Sequence, residues 1–230
     1  VYSAVMHYLK AVQAAGTDDT AAVIKKMQDT PINDMFAKNG KLRPDGRIAS
    51  AGELQDAMTD PKVALRVTSQ MLQAVATDMA GWQRAGISFQ HVGMNVTTAD
   101  FQKGDLVQRI ARVMDRAGVA PHHLVVEITE QVFMGRSKDG VARTIAALRE
   151  RGICVALDDF GTGFASLTHL LDFPVDIIKI DRSFVAAAQN GTKSSVIVEA
   201  MIGIAKRLGM RVITEGIETQ AQAEWLQSVG

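Results

Sequence analysis

The stretch VALDDFGTGFASL, residues 155–167, decides how the chain is read. A run of small apolar residues ends in two adjacent carboxylates, Asp158 and Asp159, and then enters a glycine-rich turn. Side chains alternate faces along a strand, so neighbours point apart. The two carboxylates are therefore expected to converge on one site only if the strand stops between them. Gly161 and Gly163 supply the backbone freedom for that stop and for a tight loop. A solvated turn would use the same residue types. The choice rests on whether the rest of the chain repeats the arrangement.

It does. From about Ile48 onward one phrase recurs: amphipathic helix, glycine, short apolar strand, polar residue. Helices are expected to stop at Ala85-Gly86, Ala117-Gly118, Arg151-Gly152 and Leu208-Gly209, each with the glycine that suits a helix C-terminus. Leu106, Ile110, Val113 and Met114 form one apolar stripe, and Ile197, Met201, Ile204 and Leu208 form another. The strand-like runs are ISFQHVGMN (87–95), LVVEITE (124–130), ICVALDD (153–159), DIIKID (176–181) and MRVITEG (210–216). A short helix over 165–171 leads into the fourth. Strands alternating with helices predict right-handed βαβ units and a parallel sheet.

Each strand ends in a residue able to bind a cation or a phosphate: Asn95, Glu127, Asp158, Lys179 and Glu215. In parallel β/α folds the C-terminal strand ends share one face, and that face carries the site. Several polar strand ends in register would be costly near a core unless they served a common purpose.

Composition narrows the alternatives. Acidic and basic residues number 25 each, so no net charge points to DNA or to an anionic membrane surface. No apolar run approaches a membrane span, and Val1 does not open a signal peptide. The 230 residues suffice for one or two globular domains with a sizeable core. Cys154 is the only cysteine. It excludes an intramolecular disulfide and zinc-finger ligation, fits a reducing, cytoplasmic compartment, and reads as a small core residue of its strand.

Asn95, Glu127, Asp158, Asp159 and Glu215 are hard oxygen donors, with no histidine or thiolate among them. Such a set favours Mg²⁺ or Mn²⁺ over zinc. Crowded carboxylates repel one another unless cations neutralise them. Two ions bridged by Asp158, the second completed by Asp159, would suit in-line attack on a phosphodiester. Lys179 and Asp181 share parity in their strand, so Lys179 either serves a phosphate or water, or forms a structural ion pair with Asp181. Glu130 either braces the loop 160–166 through its backbone N–H groups or serves the start of the next helix. DFG is not a kinase metal loop here, because no glycine-rich loop, strand lysine or HRD sequence precedes it. GTGFAS lacks the ending of a P-loop. His91 is expected inside a strand, and His122 and His123 in a solvated loop.

MNVTTADF, LVVEITE, VALDDFGTGFASL, IIKIDRSF and ITEGIET, in that order, resemble the EAL domain over roughly residues 45–230, opening at Gly46-Arg47-Ile48. That family linearises the bacterial second messenger cyclic di-GMP to pGpG with Mg²⁺ or Mn²⁺, on a modified (β/α)₈ barrel. The resemblance implies that Asn95, Glu127 and Asp158 bind one ion, and that Asp158, Asp159 and Glu215 bind the second. It implies that Lys179 contacts the attacking water, that Glu130 steadies the loop after Asp159, and that Glu218 helps position the substrate or its metal shell. It also implies EAL homodimers, and a GGDEF or sensory domain in a longer protein.

Two departures qualify this. No Glu-Ala-Leu tripeptide occurs in the chain, so the glutamate that names the family has no counterpart. Five of the eight barrel strands are expected, with both ends cut, and hydrolysis is expected to be weak or absent. A degenerate module that binds the nucleotide or a protein without catalysis is the alternative. Residues 1–47 resemble instead the C-terminal part of branched-chain-amino-acid-type periplasmic substrate-binding proteins. They read as helices broken at Gly16 and Pro31 and a turn at Asn39-Gly40. The two resemblances meet within RPDGR, residues 43–47, and the junction is read as a fusion or as an artefact of sequence assembly. The expected domains are 1–47, mostly helical, and 48–230, a partial EAL-type barrel.

Overall fold

Four glycines set the phrasing of the chain. In the computed structural model, Gly86, Gly118, Gly152 and Gly209 all have positive φ, from 67° to 79°. Each is followed by a residue whose N–H reaches back five positions. Ile87 donates to the Trp82 carbonyl, Val119 to Met114, Ile153 to Leu148 and Met210 to Ala205, at 2.9–3.1 Å. Such a closure satisfies carbonyls that a helix end leaves open, and it needs a left-handed residue that glycine adopts without a steric penalty. The helix stops are where the sequence puts them.

The structure describes residues 14, 16, 20–29, 60–134, 138–161, 167–187 and 192–230. The loop 162–166 with Gly163, the breaks at Pro31 and Asn39-Gly40, and the boundary at 47/48 lie outside those residues. The chain divides into two compact units, Val1–Met71 and Leu72–Gly230. The first contains α1 (Thr20–Asp29) and the start of α2 (Pro61–Arg84). In the second, α2 is followed by β1 (Val92–Asn95), α3 (Thr98–Lys103), α4 (Leu106–Ala117), β2 (Leu124–Thr129), α5 (Lys138–Glu150), β3 (Cys154–Phe160), α6 (Leu167–Asp172), β4 (Ile177–Ile180), α7 (Arg182–Ala187), α8 (Lys193–Arg207), β5 (Arg211–Thr214) and α9 (Gln220–Val229).

The strands form one sheet in the order β1-β2-β3-β4-β5, every pair parallel. β5 is partly exposed, whereas the central strands β2–β4 are mostly buried on both faces. On one, Val125, Ala156 and Ile177 pack together. On the other, Ile180 joins Val185, Val198, Ile202 and Leu226 from the surrounding helices. Each of the valine, leucine and isoleucine side chains among them contributes about 1.5–3 kcal/mol by leaving water. Apolar pressure on both faces explains why the strands read as nearly continuous apolar runs.

Several expectations are corrected. β3 does not stop between the two aspartates; it runs through both to Phe160. Leu157 pairs with Ile178 and Phe160 with Ile180, so three steps on β3 face two on β4, a β-bulge. Asp159 takes up the extra residue at φ +52°, a conformation Asp tolerates better than most. The bulge lets Leu157 and Phe160 both stay in the core.

The first strand begins at Val92 rather than residue 87. Its partner β2 starts only at Leu124, after the Pro121–His123 3₁₀ turn, so residues 87–91 have no ladder to join. His91 is consequently exposed and outside the strand. His123 is half-buried, bonded through Nδ1 to the Gln90 carbonyl at 2.7 Å.

The inward face of α8 is also rotated from the expected stripe. Thr192 caps the helix by accepting the Ser195 N–H, and the Ser195 hydroxyl donates back to the Thr192 carbonyl. Ser195 is thereby turned inward, and Val198, Ile202 and Ala205 follow it; Ile197 and Leu208 are exposed. Cys154 is half-buried at the start of β3, packed against the Val125, Ala156 and Ile177 cluster at the edge of the core and 3.4 Å from Arg211 Nη2.

Candidate functional site

Strand parity and the parallel register put Glu127, Asp158 and Lys179 on the face shared by Val125, Ala156 and Ile177, one step nearer the C-terminal end. Glu215 follows the last residue of β5, its N–H donating to the Ile180 carbonyl. The four side chains meet there. Lys179 Nζ lies 2.7 Å from Glu215 Oε1, 2.8 Å from Asp158 Oδ1 and 3.2 Å from Glu127 Oε2. The ammonium is buried, and Glu127 and Asp158 are nearly so. The alternative of an ion pair between Lys179 and Asp181 gives way to these three acids.

The electrostatics follow from that crowding. Burial by itself would lower the Lys179 pKa, but hydrogen bonds to Asp158 and Glu215, with the charge of Glu127, hold it well above the ordinary lysine value. Lys179 is therefore a fixed cation at neutral pH. Glu127 is pushed up by burial and by its acidic neighbours, against the pull of Lys179. Asp159, exposed on the bulge, is also pushed up, by desolvation and by the charges of Asp158, Asp181 and Glu215. Three carboxylates share one ammonium, so the site carries an excess of negative charge.

The remaining predicted residues surround this centre. Asn95 is exposed at the end of β1, in register with Glu127. Glu130 is buried, and its Oε1 accepts the Gly161 N–H at 2.9 Å, tying the backbone just past Asp159 to the end of β2. Gly161 has φ +94°, and a Cβ there would come within 2.4 Å of Met201 Cε. Asp181 begins α7, where its Oδ1 accepts the Ser183 N–H at 2.9 Å; the Ser183 bonds lower its pKa. Glu218 is exposed in the loop before α9, its N–H donating to Gln222 Oε1, and is not among the groups bonded to Lys179.

Sequence reasoning missed two glycines of this site. A Cβ on Gly93 would lie 2.2 Å from Glu127 Oε1, so the bare backbone of β1 is the seat of that carboxylate. A lone glycine inside a strand is the available signal for such an approach. Gly216, at φ +71°, lets the turn after Glu215 pack on Arg182, whose Cβ would be 2.3 Å from an added methyl.

Among the described residues no three His, Cys, Asp or Glu side chains surround an open metal position. The Lys179 ammonium takes the point where three of the acids converge. The donor chemistry nonetheless fits a divalent cation: the oxygens are hard, come from separate strands, and exceed in charge the one ammonium that holds them.

Comparison with known proteins agrees with this geometry. The EAL domain family matches residues 42–230, and the periplasmic binding protein family matches residues 1–60, the two overlapping over 42–60. The probable cyclic di-GMP phosphodiesterase PdeB of Escherichia coli is 34% identical over 82% of this chain and 34% of its own length. The chain spans less than two fifths of the length of relatives such as PdeB and the cyclic di-GMP phosphodiesterase PA2567 of Pseudomonas aeruginosa, 34% and 38% respectively. Among solved structures, the MucR phosphodiesterase of Pseudomonas aeruginosa in complex with cyclic di-GMP superposes with a TM-score of 0.71 at 25% identity, covering 80% of this chain and 79% of that one. A manganese and cyclic di-GMP complex of BlrP1 from Klebsiella pneumoniae gives a TM-score of 0.67 at 25% identity, over 83% of this chain and 51% of that one. On the matched span, the parallel β/α sheet and the acidic strand ends, the chain belongs to the EAL-domain family.

Proposed function

We propose that residues 48–230 form a phosphodiesterase domain that hydrolyses cyclic di-GMP to pGpG, with residues 1–47 a separate helical segment. The observation that carries the reading is the meeting of Glu127, Asp158 and Glu215 around Lys179 at the C-terminal end of the sheet. The ligand and the divalent metal of the MucR and BlrP1 complexes support it.

In this reading Asn95, Glu127 and Asp158 would hold one Mg²⁺ or Mn²⁺, and Asp158, Asp159 and Glu215 a second. Such ions would neutralise phosphate charge and lower the pKa of a water nucleophile. Lys179, protonated throughout the physiological range, donates to a phosphate oxygen or orients the water while holding the acids in place. Glu130 keeps the Asp159 bulge in register through the Gly161 N–H. Asp181 stabilises the start of α7 beside the site, and Glu218 reaches toward the substrate from the loop after β5. Homodimerisation, a GGDEF or sensory partner domain and a cytoplasmic setting belong to the same proposal. Among the described residues no helix is long and apolar enough to cross a membrane.

Hydrolysis by this chain is expected to be slow, because the glutamate of the Glu-Ala-Leu motif has no counterpart in it. One observation favours a second reading, binding without hydrolysis: the ammonium already occupies the point where the acids meet. Incubating the 230-residue chain with cyclic di-GMP and Mn²⁺, and separating products by ion-exchange chromatography, tests both. Slow formation of pGpG that disappears in Lys179→Ala supports the proposal. Calorimetric binding without product supports the second reading. Neither binding nor product refutes both, and turnover in the ordinary enzyme range of about 1–10³ s⁻¹ refutes the expected weakness.

A further inference from the structure

The turn that leaves β1 is fastened more firmly than a surface turn requires. Directly after Asn95, Val96 is buried and its N–H donates to the Glu127 carbonyl at 3.0 Å. The next residue, Thr97, donates both its N–H and its hydroxyl to Asp100 Oδ2, at 2.9 and 2.8 Å. Asp100 is fully buried, and its other oxygen, Oδ1, accepts Arg109 Nη2. The Arg109 side chain is only 12% exposed. Arg109 belongs to α4, whose Leu106, Ile110, Val113 and Met114 are buried in the core.

A continuous set of short contacts thus runs from the core helix through Arg109, Asp100 and Thr97 to the residue that ends β1. α3 has six residues, too few to be stable on its own. A buried ion pair stabilises little more than an apolar pair of the same size would, and its best-attested use is to impose one geometry. A ligand at a metal centre must be held to within about 0.5 Å by its supporting residues.

We propose that the buried Arg109–Asp100 pair is a positioning device that fixes Asn95 at the mouth of the sheet by clamping the turn at Val96 and Thr97. The inference rests on the reading of Asn95 as an oxygen ligand of that mouth. Neither Asp100 nor Arg109 touches the reacting groups; both act through Asn95.

The test uses the 230-residue chain and two readouts, Mn²⁺ affinity by electron paramagnetic resonance and amide hydrogen exchange. Arg109→Met is expected to weaken Mn²⁺ binding about tenfold, as loss of an outer supporting residue does. Added to Asn95→Ala it is expected to cost nothing further, and Arg109→Lys restores most of the affinity. Exchange at the Val96 amide rises by about tenfold in Arg109→Met, while Leu157 in β3 keeps its protection. Full additivity with Asn95→Ala, or unchanged Val96 exchange in a folded Arg109→Met, overturns the proposal. Asp100→Asn repeats every arm if Arg109→Met does not fold. A wild-type chain that binds no Mn²⁺ removes the ligand reading of Asn95, and the exchange arm then decides the clamp alone.

Discussion

The two ends of the sheet handle charge in opposite ways. At the N-terminal end, Asp176 is fully partnered: Oδ2 accepts the Val155 N–H at 2.9 Å and Oδ1 accepts Arg149 Nε at 2.8 Å. The Asp176 N–H donates back to the Val155 carbonyl, and the Asp176 carbonyl accepts from Arg211. Through its carboxylate and backbone together, this one residue ties β4 to β3, to β5 and to α5, beside a cleft of about 530 Å³ lined by Cys154, Leu208 and Arg211. At the C-terminal end, Glu127, Asp158 and Glu215 crowd one ammonium. The first arrangement is balanced and complete; the second carries surplus negative charge. A surplus held near a core is tolerable only where something else neutralises it, which is why the C-terminal end is the candidate site and the N-terminal end reads as a support.

The largest expected effect is at the crowded end. Lys179→Met leaves three acids without their cation, and thermal unfolding is expected to show a loss of about 3–5 kcal/mol. Mn²⁺ should recover part of that loss and raise the Tm of the variant more than that of the wild type. Equal metal-induced shifts in both would remove the distinction between the two ends. Asp176→Ala should lose about 1–3 kcal/mol by freeing the Val155 N–H and Arg149. Its Mn²⁺ affinity should match the wild type, and a loss of affinity there would mean that the N-terminal end is not a mere support.

Gly93→Ala sharpens the contrast at smaller cost. A methyl 2.2 Å from Glu127 Oε1 must displace that carboxylate, so Mn²⁺ affinity should fall about tenfold. Calorimetric titration reads this directly, and unchanged affinity would show that the Glu127 seat is unimportant. Cys154→Ser, at a half-buried position packed on the Val125 cluster, is expected to lose about 1 kcal/mol in urea unfolding. Unchanged stability would show that the thiol contributes nothing to that cluster.

What was legible in the sequence is what local rules govern. The four helix stops followed from glycine and from nothing farther away than five residues. The parallel sheet and the gathering of Glu127, Asp158, Lys179 and Glu215 follow from βα alternation and the shared face of the strand ends. The bulge at Asp159 was not legible, since it depends on Phe160 pairing with Ile180, twenty residues on. The inward face of α8 was misread because Ile197 and Ile204 carry as much apolar signal as Val198 and Ile202, and the Thr192–Ser195 cap decided between them. Thr97 and Asp100 form a capping box visible in TTAD, but nothing local marks Arg109 as the partner of Asp100. Pairings across sequence distance, where the support of the site lies, were out of reach of periodicity.

The most direct test of the excess-charge site is Mn²⁺ binding to the 230-residue chain beside Asp158→Asn. The wild type should bind Mn²⁺, and Asp158→Asn, which removes the shared ligand while keeping the shape, should bind at least tenfold more weakly with its fold intact. Equal Mn²⁺ affinity in the two proteins, or no binding by either, would contradict the account.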